Sequence, residues 1–354
     1  MSSFLNLEIQ EVIKETHDTV SLLLKNKNGN SVSFQPGQFL TFLFEEKDRE
    51  VRRGFSISSS PDELPYLRVT IKKVHQDSVS TRCVDEAKVG QVIKSLPPLG
   101  HFTVIPSPDL EREFIMFGAG SGITPLISMI QSILKHENKS KIVLYYGNRN
   151  ESSIIFKDEI AKLMKEYPMR LRVIHVLSQP TTVWEGLKGR ITQEMALELL
   201  SSILFVDPQK ASYYLCGPDG MMQNVIHTLD EMKIDHKRIH RENFVIKILD
   251  ENDEIEEVER EVTIFFKGQK HLVNVKPGES IQQKALQLGL ELPNSCQHGE
   301  CGTCRARLLS GKLKLVSQTA LTEEELKDGY CLTCVGYPAS ENVVILYEDP
   351  FDDF

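Results

Sequence analysis

Four cysteines near the C-terminal end constrain this chain more than any other feature. Cys296, Cys301 and Cys304 follow a Cys-x4-Cys-x2-Cys spacing, and 29 residues separate Cys304 from Cys334. At this spacing four thiolates hold the two irons of a plant-type 2Fe–2S cluster. Gly299, Gly302 and Thr303 are small or flexible enough to let backbone N–H groups turn toward sulfide. A fifth cysteine in the region, Cys331, opens a competing set. Cys301-x2-Cys304 and Cys331-x2-Cys334 form two knuckles of the kind that hold a tetrahedral zinc ion. That set leaves Cys296 without a part, and its knuckles lie further apart than in the usual ribbon. On the cluster reading Cys331 is a packed thiol and no ligand, and Cys83 reads as a core residue.

With 354 residues the chain has room for two or three domains. Cysteines clustered for metal suit a reducing cytoplasmic setting. Residues 1–25 show no basic start followed by an apolar core, so no secretory leader is expected. No apolar run approaches the roughly 18 residues of a membrane span, so no membrane insertion is expected. Charge is unevenly placed. From Ile248 onward there are 10 Lys+Arg against 20 Asp+Glu, so the whole excess behind the net charge of −9 lies in the last third. Nucleic acid is excluded as a partner, because phosphate contacts need a basic face. An acidic module around a redox centre steers toward a basic surface on a partner protein. The same acid also describes a solvated linker and tail, since much of it lies in residues 250–261 and 348–353.

Residues 1–105 read as short strands, at 19–24, 38–44, 67–74 and 92–96, with turns at Asn28-Gly29-Asn30 and Pro36-Gly37. The absence of a strong helical repeat predicts a small antiparallel β-barrel. Within it, Arg53, Phe55 and Ile57 alternate onto one face of a strand, and an Arg beside an aromatic and hydroxyls suits a phosphate and a flat ring. Unaided, the same spacing also describes a plain barrel strand. A short helix is expected at 82–87, with Ser80 or Thr81 as its cap and free N–H groups suited to a pyrophosphate.

From 111 to 244 strands alternate with helices. Strands are expected at 113–117, 141–146, 171–177 and 212–215, and helices at 126–135, 156–166, 192–201 and 223–232. This order predicts a parallel sheet with helices on both faces and a ligand beyond the carboxyl ends of the strands. Two Gly-rich turns fall there, Gly118-Ala119-Gly120-Ser121-Gly122 and Cys216-Gly217-Pro218-Asp219-Gly220. They allow a pyrophosphate to approach the backbone at a helix N-terminus. The first departs from G-x-G-x-x-G, because Ile123 takes the place of the third glycine. Asn148 and Arg149 end the second strand, where an Arg favours a 2′-phosphate, and hence NADPH, over the acid of NAD-selective sites; a surface turn residue is the other reading of Arg149. Cys216 ends a strand where a thiol can pack against a nicotinamide or flavin ring, or simply be buried. Residues 248–260 form a polar, acidic connector. A hairpin around Lys267-Gly268-Gln269, a helix at 280–289 and strands at 305–309 and 343–347 then surround the cysteine loop.

These segments together resemble the ferredoxin–NADP reductase superfamily, and in their order they are similar to the reductase components of phenylacetyl-CoA oxygenase systems. The resemblance spans nearly the whole chain. It rests on Arg53-Gly54-Phe55-Ser56 for the family's Arg-x-Tyr-Ser flavin motif, on residues 118–125, on Cys216-Gly217-Pro218, on Glu242-Asn243-Phe244 and on the four cysteines. It implies an FAD-binding barrel at 1–106, an NAD(P)-binding α/β domain at 107–247, an acidic linker at 248–260 and an α+β, β-grasp 2Fe–2S ferredoxin-like domain at 261–354. It implies that Arg53 binds the flavin phosphate, that Phe55 lies against the flavin, and that Ser56 sits near N5. Ile71 and Lys72 would line the flavin through their backbone, Ile57 would also contact the cofactor, and Val79, Ser80 and Thr81 would form the pyrophosphate turn. Gly118, Gly120, Gly122, Thr124, Pro125, Asn148, Arg149, Gly217, Pro218 and Phe244 would hold the cofactors. Cys216 would flank the hydride path and share the catalytic role with Ser56. Cys296, Cys301, Cys304 and Cys334 would ligate the cluster.

Two departures stand out. Phe55 replaces the family's Tyr, which removes a hydroxyl but keeps a stacking ring. Residues 77–81 lack a glycine before the serine, which leaves FMN, used by phthalate-dioxygenase-type reductases of the same domain order, as the alternative to FAD. The implied activity is hydride transfer from NADPH to FAD, single-electron transfer to the 2Fe–2S cluster, and reduction of a partner oxygenase or of a fatty-acyl desaturase or other diiron protein. A flavin is required because a hydride carries two electrons and the cluster accepts one. The reading from a different class is a redox-sensing iron–sulfur flavoprotein that reports nucleotide poise.

Overall fold

The computed structural model describes residues 4–46, 49–74, 78–100, 102–242, 258–316, 320–322, 325–326 and 328–347. The chain forms two compact units, Met1–Val245 and Ile246–Phe354.

The first unit opens with a barrel. Its strands are β1 (Leu5–Thr16), β2 (Thr19–Asn26), β3 (Phe39–Glu46), β4 (Arg49–Ser56), β5 (Tyr66–Lys72) and, after helix α1 (Ser78–Glu86), β6 (Val92–Ser95). All pairs are antiparallel, in the order β4-β3-β6-β1-β2-β5. The sheet closes on itself where Ile57 bridges to Val69 and the Ser58 N–H donates to Arg68 O at 2.7 Å. Alternation drives this: Leu7 and Ile9, Leu22 and Leu24, and Leu67 and Val69 point inward and are fully buried. β1 is a strand that the expected set lacks. Register shifts between Ile9 and Glu11 and between Lys14 and Thr16 break its alternation, and that hides its period. The helix expected at 82–87 instead begins at Ser78. Ser80 and Thr81 therefore lie inside its first turn and do not cap it, and the Ser80 hydroxyl accepts from Val74 N at 3.1 Å.

The same unit continues as β7 (Glu113–Ala119), α2 (Ile123–His136), β8 (Lys141–Asn148), α3 (Lys157–Glu166), β9 (Leu171–Leu177), β10 (Leu187–Lys188), α4 (Gln193–Ser202), β11 (Ser212–Cys216), α5 (Asp219–Glu231) and β12 (Ile239–Glu242). The six strands are all parallel, in the order β10-β9-β8-β7-β11-β12. The near-continuous apolar runs of β7 and β8 are buried on both faces. One face packs under α2 and α3, with Leu126, Ile130 and Ile160. The other packs under α4 and α5, with Leu200, Val225 and Leu229. α2 and α5 start three to four residues before the apolar repeat that marks them, because their first turns are the Gly- and Pro-containing segments that reach the site.

The second unit is a small mixed sheet. Strands β13 (Arg260–Phe266), β14 (Gln269–Val275), β15 (Arg305–Ser310), β17 (Tyr330–Leu332) and β19 (Val343–Leu346) run in the order β14-β13-β19-β15-β17. β13 and β19 are parallel and the other pairs antiparallel. β16 (Leu313–Leu315) and β18 (Gly336–Pro338) form a separate two-stranded ladder. Helix α6 (Ile281–Gln287) is capped by the Ser280 hydroxyl, which accepts from Gln283 N at 3.2 Å. Ile281 and Ala285 bury its apolar face against Val262, Val273 and Ile345. Among the described residues no helix is long and apolar enough to cross a membrane.

Candidate active site and cluster-binding loop

In the first unit the parallel register sets Gly118, Cys216 and Glu242 side by side at the carboxyl ends of β7, β11 and β12. The two Gly-rich turns meet here. A Cβ on Gly122 would lie 2.0 Å from Cys216 O and 2.9 Å from Gly217 N, so only glycine lets these turns touch. The barrel supplies the opposite wall. Ser56, at the end of β4 and 3% exposed, has its Oγ 3.4 Å from Glu242 Oε2. Burial raises the Glu242 carboxyl to about 8, against the opposing pull of the Ser56 bond. In the sequence Glu242 stands out only as part of the 242–244 motif. Its role as a buried acid depends on a contact between residues 186 apart in the chain.

The other expected site residues fall around this row. Lys72, from β5, has its Nζ within 4.0 Å of the Cβ position of Gly120, so a cation from the barrel faces the first Gly-rich turn. Tyr146 OH donates to Gly120 O at 3.0 Å, and the Thr124 hydroxyl donates to Ser121 O at 2.9 Å; both fix the shape of that turn. Pro125 lies buried in the first turn of α2, and Pro218 precedes the first turn of α5. Val79, Ser80 and Thr81 occupy the N-terminal turn of α1, the positive end of its dipole. Phe55 is half-buried, its ring 5.4 Å from that of Phe42, and Arg53 is also half-buried. The side chains of Ile57 and Ile71 are both in the barrel core, which leaves their backbone to face a cofactor. Phe244 lies outside the described residues.

At the end of β8, Asn148 is 9% exposed, and among the described residues neither its Nδ2 nor its Oδ1 has a hydrogen-bond partner of good geometry. A buried amide left unmatched at the carboxyl edge of this sheet fits a nucleotide site. The Arg149 side chain is exposed, and its carbonyl accepts from Gln179 N at 2.7 Å.

In the second unit the loop from Cys296 to Cys304 turns through left-handed residues, Gln297 at φ 63°, Gly299 at 79° and Gly302 at 69°. These turns aim N–H groups inward. His298 N donates to Cys296 Sγ at 3.4 Å, and the Gly299 N–H points at Cys334. All four expected ligands are buried. They fall into two pairs. Cys304 Sγ lies 3.2 Å from Cys334 Sγ, and Cys296 hydrogen-bonds Cys301. That bond, with help from Thr303, draws the Cys301 thiol down to about 5 and holds the Cys296 thiol up. Two irons, each taking two thiolates, match this pairing. Among the described residues no three His, Cys, Asp or Glu side chains surround one point, as a single zinc ion would need. Cys331 faces the other way. It packs with Val262, Ala306 and Ile345 in the sheet core, its Sγ donates to Ala306 O at 3.3 Å, and burial pushes its thiol up to about 12. The residues present therefore fit a 2Fe–2S cluster.

Three family models match the chain: Oxidoreductase FAD-binding domain over residues 6–104, Oxidoreductase NAD-binding domain over 116–227, and 2Fe-2S iron-sulfur cluster binding domain over 264–339. The chain is 30% identical to a component of the 1,2-phenylacetyl-CoA epoxidase of Escherichia coli (strain K12), over 98% of this chain and 99% of that protein. It is 31% identical to the ferredoxin reductase component of 3-ketosteroid-9-alpha-monooxygenase from Rhodococcus rhodochrous, over 96% and 95%. Its fold is similar to that of the crystallised phthalate dioxygenase reductase, with a TM-score of 0.66 over 98% of each chain at 22% identity. Barrel, parallel sheet and cysteine loop thus define an oxidoreductase with FAD-binding, NAD-binding and 2Fe–2S domains. The chain belongs to the ferredoxin–NADP reductase superfamily.

Proposed function

We propose that the protein is the cytoplasmic reductase component of an oxygenase system, using NADPH as its electron source and a partner oxygenase as its acceptor. The meeting of Ser56, Cys216 and Glu242 at the Gly-rich turns carries this reading, since it joins the flavin barrel to the nucleotide sheet at one point. The names of two relatives support the acceptor: one is part of an epoxidase and the other a reductase component of a monooxygenase.

When bound, the flavin accepts a hydride and releases its electrons singly to the cluster. The chain's own residues bind and orient. Arg53, Lys72 and the positive end of the α1 dipole supply positive charge for the flavin's phosphates. Phe55 and the backbone of Ile57 and Ile71 border the ring. Residues 118–125, Gly217 and Pro218 shape the pyrophosphate and nicotinamide cradle, and Asn148 offers its unmatched amide to the nucleotide. Ser56, Cys216 and Glu242 exclude water, and Glu242 keeps a proton at Oε1 or Oε2 beside Ser56. Arg149, exposed at the end of β8, supports NADPH over NADH.

Reconstituted protein should show flavin and cluster absorbance and should reduce cytochrome c or ferricyanide steadily with NADPH. Absence of both absorbances sinks the reading. Slow turnover with a binding response would favour a redox sensor. Arg149→Asp should lower the preference for NADPH over NADH, and an unchanged ratio removes the basis for NADPH. A desaturase or other diiron protein is the alternative acceptor.

A further inference from the structure

Thr333 stands next to the ligand Cys334 and is fully buried. Its Oγ1 lies 3.2 Å from the backbone carbonyl of Cys304, and its own N–H reaches the same oxygen at 3.3 Å. On its other side Oγ1 meets the hydroxyl of Tyr347, which follows β19 and is 6% exposed. A carbonyl has no proton to give, so the single hydroxyl proton of Thr333 goes to Cys304 O. Tyr347 must then be the donor to Thr333. Both O–H dipoles consequently point the same way, with their positive ends toward the peptide of a cluster ligand.

We propose that Tyr347, acting through Thr333, is a positioning residue that raises the reduction potential of the cluster and so favours electron flow onto it. This rests on the reading of the cysteine loop as a 2Fe–2S site. Reduction adds one negative charge to a buried group, and aligned donors in a low-dielectric interior stabilise added charge. The chain also fixes the ligand's backbone. Gln282 N donates to Thr333 O at 3.1 Å, which ties the Thr333–Cys334 peptide to helix α6.

An EPR-monitored redox titration of the holoenzyme tests this. Tyr347→Phe removes only the hydroxyl and keeps the ring, which sits edge-on to Phe266 at 5.7 Å. At a fixed poise its ratio of reduced to oxidised cluster should fall about two- to tenfold, the span of one hydrogen bond of ordinary strength. Thr333→Val should move the ratio in the same direction, and Thr333→Ser, which retains a hydroxyl, should stay near the unmodified value. The double variant Tyr347→Phe/Thr333→Val should match Thr333→Val alone, because the chain of bonds runs through Thr333. An unchanged ratio in Tyr347→Phe with its iron retained overturns the proposal, as does an additive double variant. If Tyr347→Phe fails to hold iron, the two Thr333 variants decide, and equal ratios overturn it. Absence of a cluster signal from the unmodified protein would instead count against the proposed function.

Discussion

Ser56 Oγ donates to Glu242 Oε2 at 3.4 Å, and this contact joins the last residue of a barrel strand to the last residue of the nucleotide sheet. Burial holds the Glu242 carboxyl protonated up to about 8. The unfolded chain releases that proton near the ordinary glutamate value. Between the two values the folded state binds more protons, so stability falls as pH rises from about 4.5 to about 8 and is level above. Glu242→Gln removes the titration. Urea unfolding should show the variant gaining stability over the unmodified protein at pH 8, by a few kcal/mol at most, with little gain at pH 5. Where the pH profile of single-turnover flavin reduction has an inflection near 8, the variant should lose it. A variant that keeps that inflection would assign the proton elsewhere.

The cysteine spacing and the β/α alternation could be read directly, because each is local. Strand β9 spans residues 171–177 as expected, and Ser280 sits where a helix cap is needed. What could not be read is non-local. Glu242 becomes a buried acid only once β12 pairs with β11, which sets it beside Cys216 and within reach of Ser56. The fate of Cys331 depends on pleat parity in β17: its side chain enters the sheet core, while its neighbour Leu332 joins Cys304, Cys334 and Val335. The early starts of α1 and α5 were hidden because their first turns carry polar, Gly or Met residues in place of an apolar repeat.

Arg68 of β5 and Glu159 of α3 form a two-pronged ion pair, Nη1 to Oε2 at 2.7 Å and Nη2 to Oε1 at 2.9 Å. Nη2 also donates to Ser58 O at 2.9 Å, and the guanidinium lies 4.7 Å from the centre of the Phe156 ring. The pair links barrel to nucleotide domain beside a second polar seam, where Ser128 Oγ donates to Ser59 O at 2.6 Å. Arg68→Met strands a half-buried carboxylate and should cost about 3 kcal/mol in denaturant unfolding. Arg68→Lys keeps the charge and loses the fork, so it should fall between. A loss below about 0.5 kcal/mol for Arg68→Met would show that the pair contributes no net stability.

Cys331 separates the cluster from the zinc site by a measurement on one variant. Its thiol is 2% exposed, donates to Ala306 O and is held protonated by burial. With its Sγ turned to Ala306 O in the sheet core, Cys331 is not one of the thiols that pair in the cysteine loop. Cys331→Ala should therefore keep the full iron content and the visible spectrum of the unmodified protein. It should lose about 1–2 kcal/mol of stability, through a small cavity beside Val262 and Ile345. Cys296→Ser should lose iron, since it removes one thiolate of the Cys296–Cys301 pair. Metal analysis of the two variants reads out the ligand set. Iron lost from Cys331→Ala, or zinc retained by Cys296→Ser, would reverse the assignment and make the two Cys-x2-Cys knuckles the metal site.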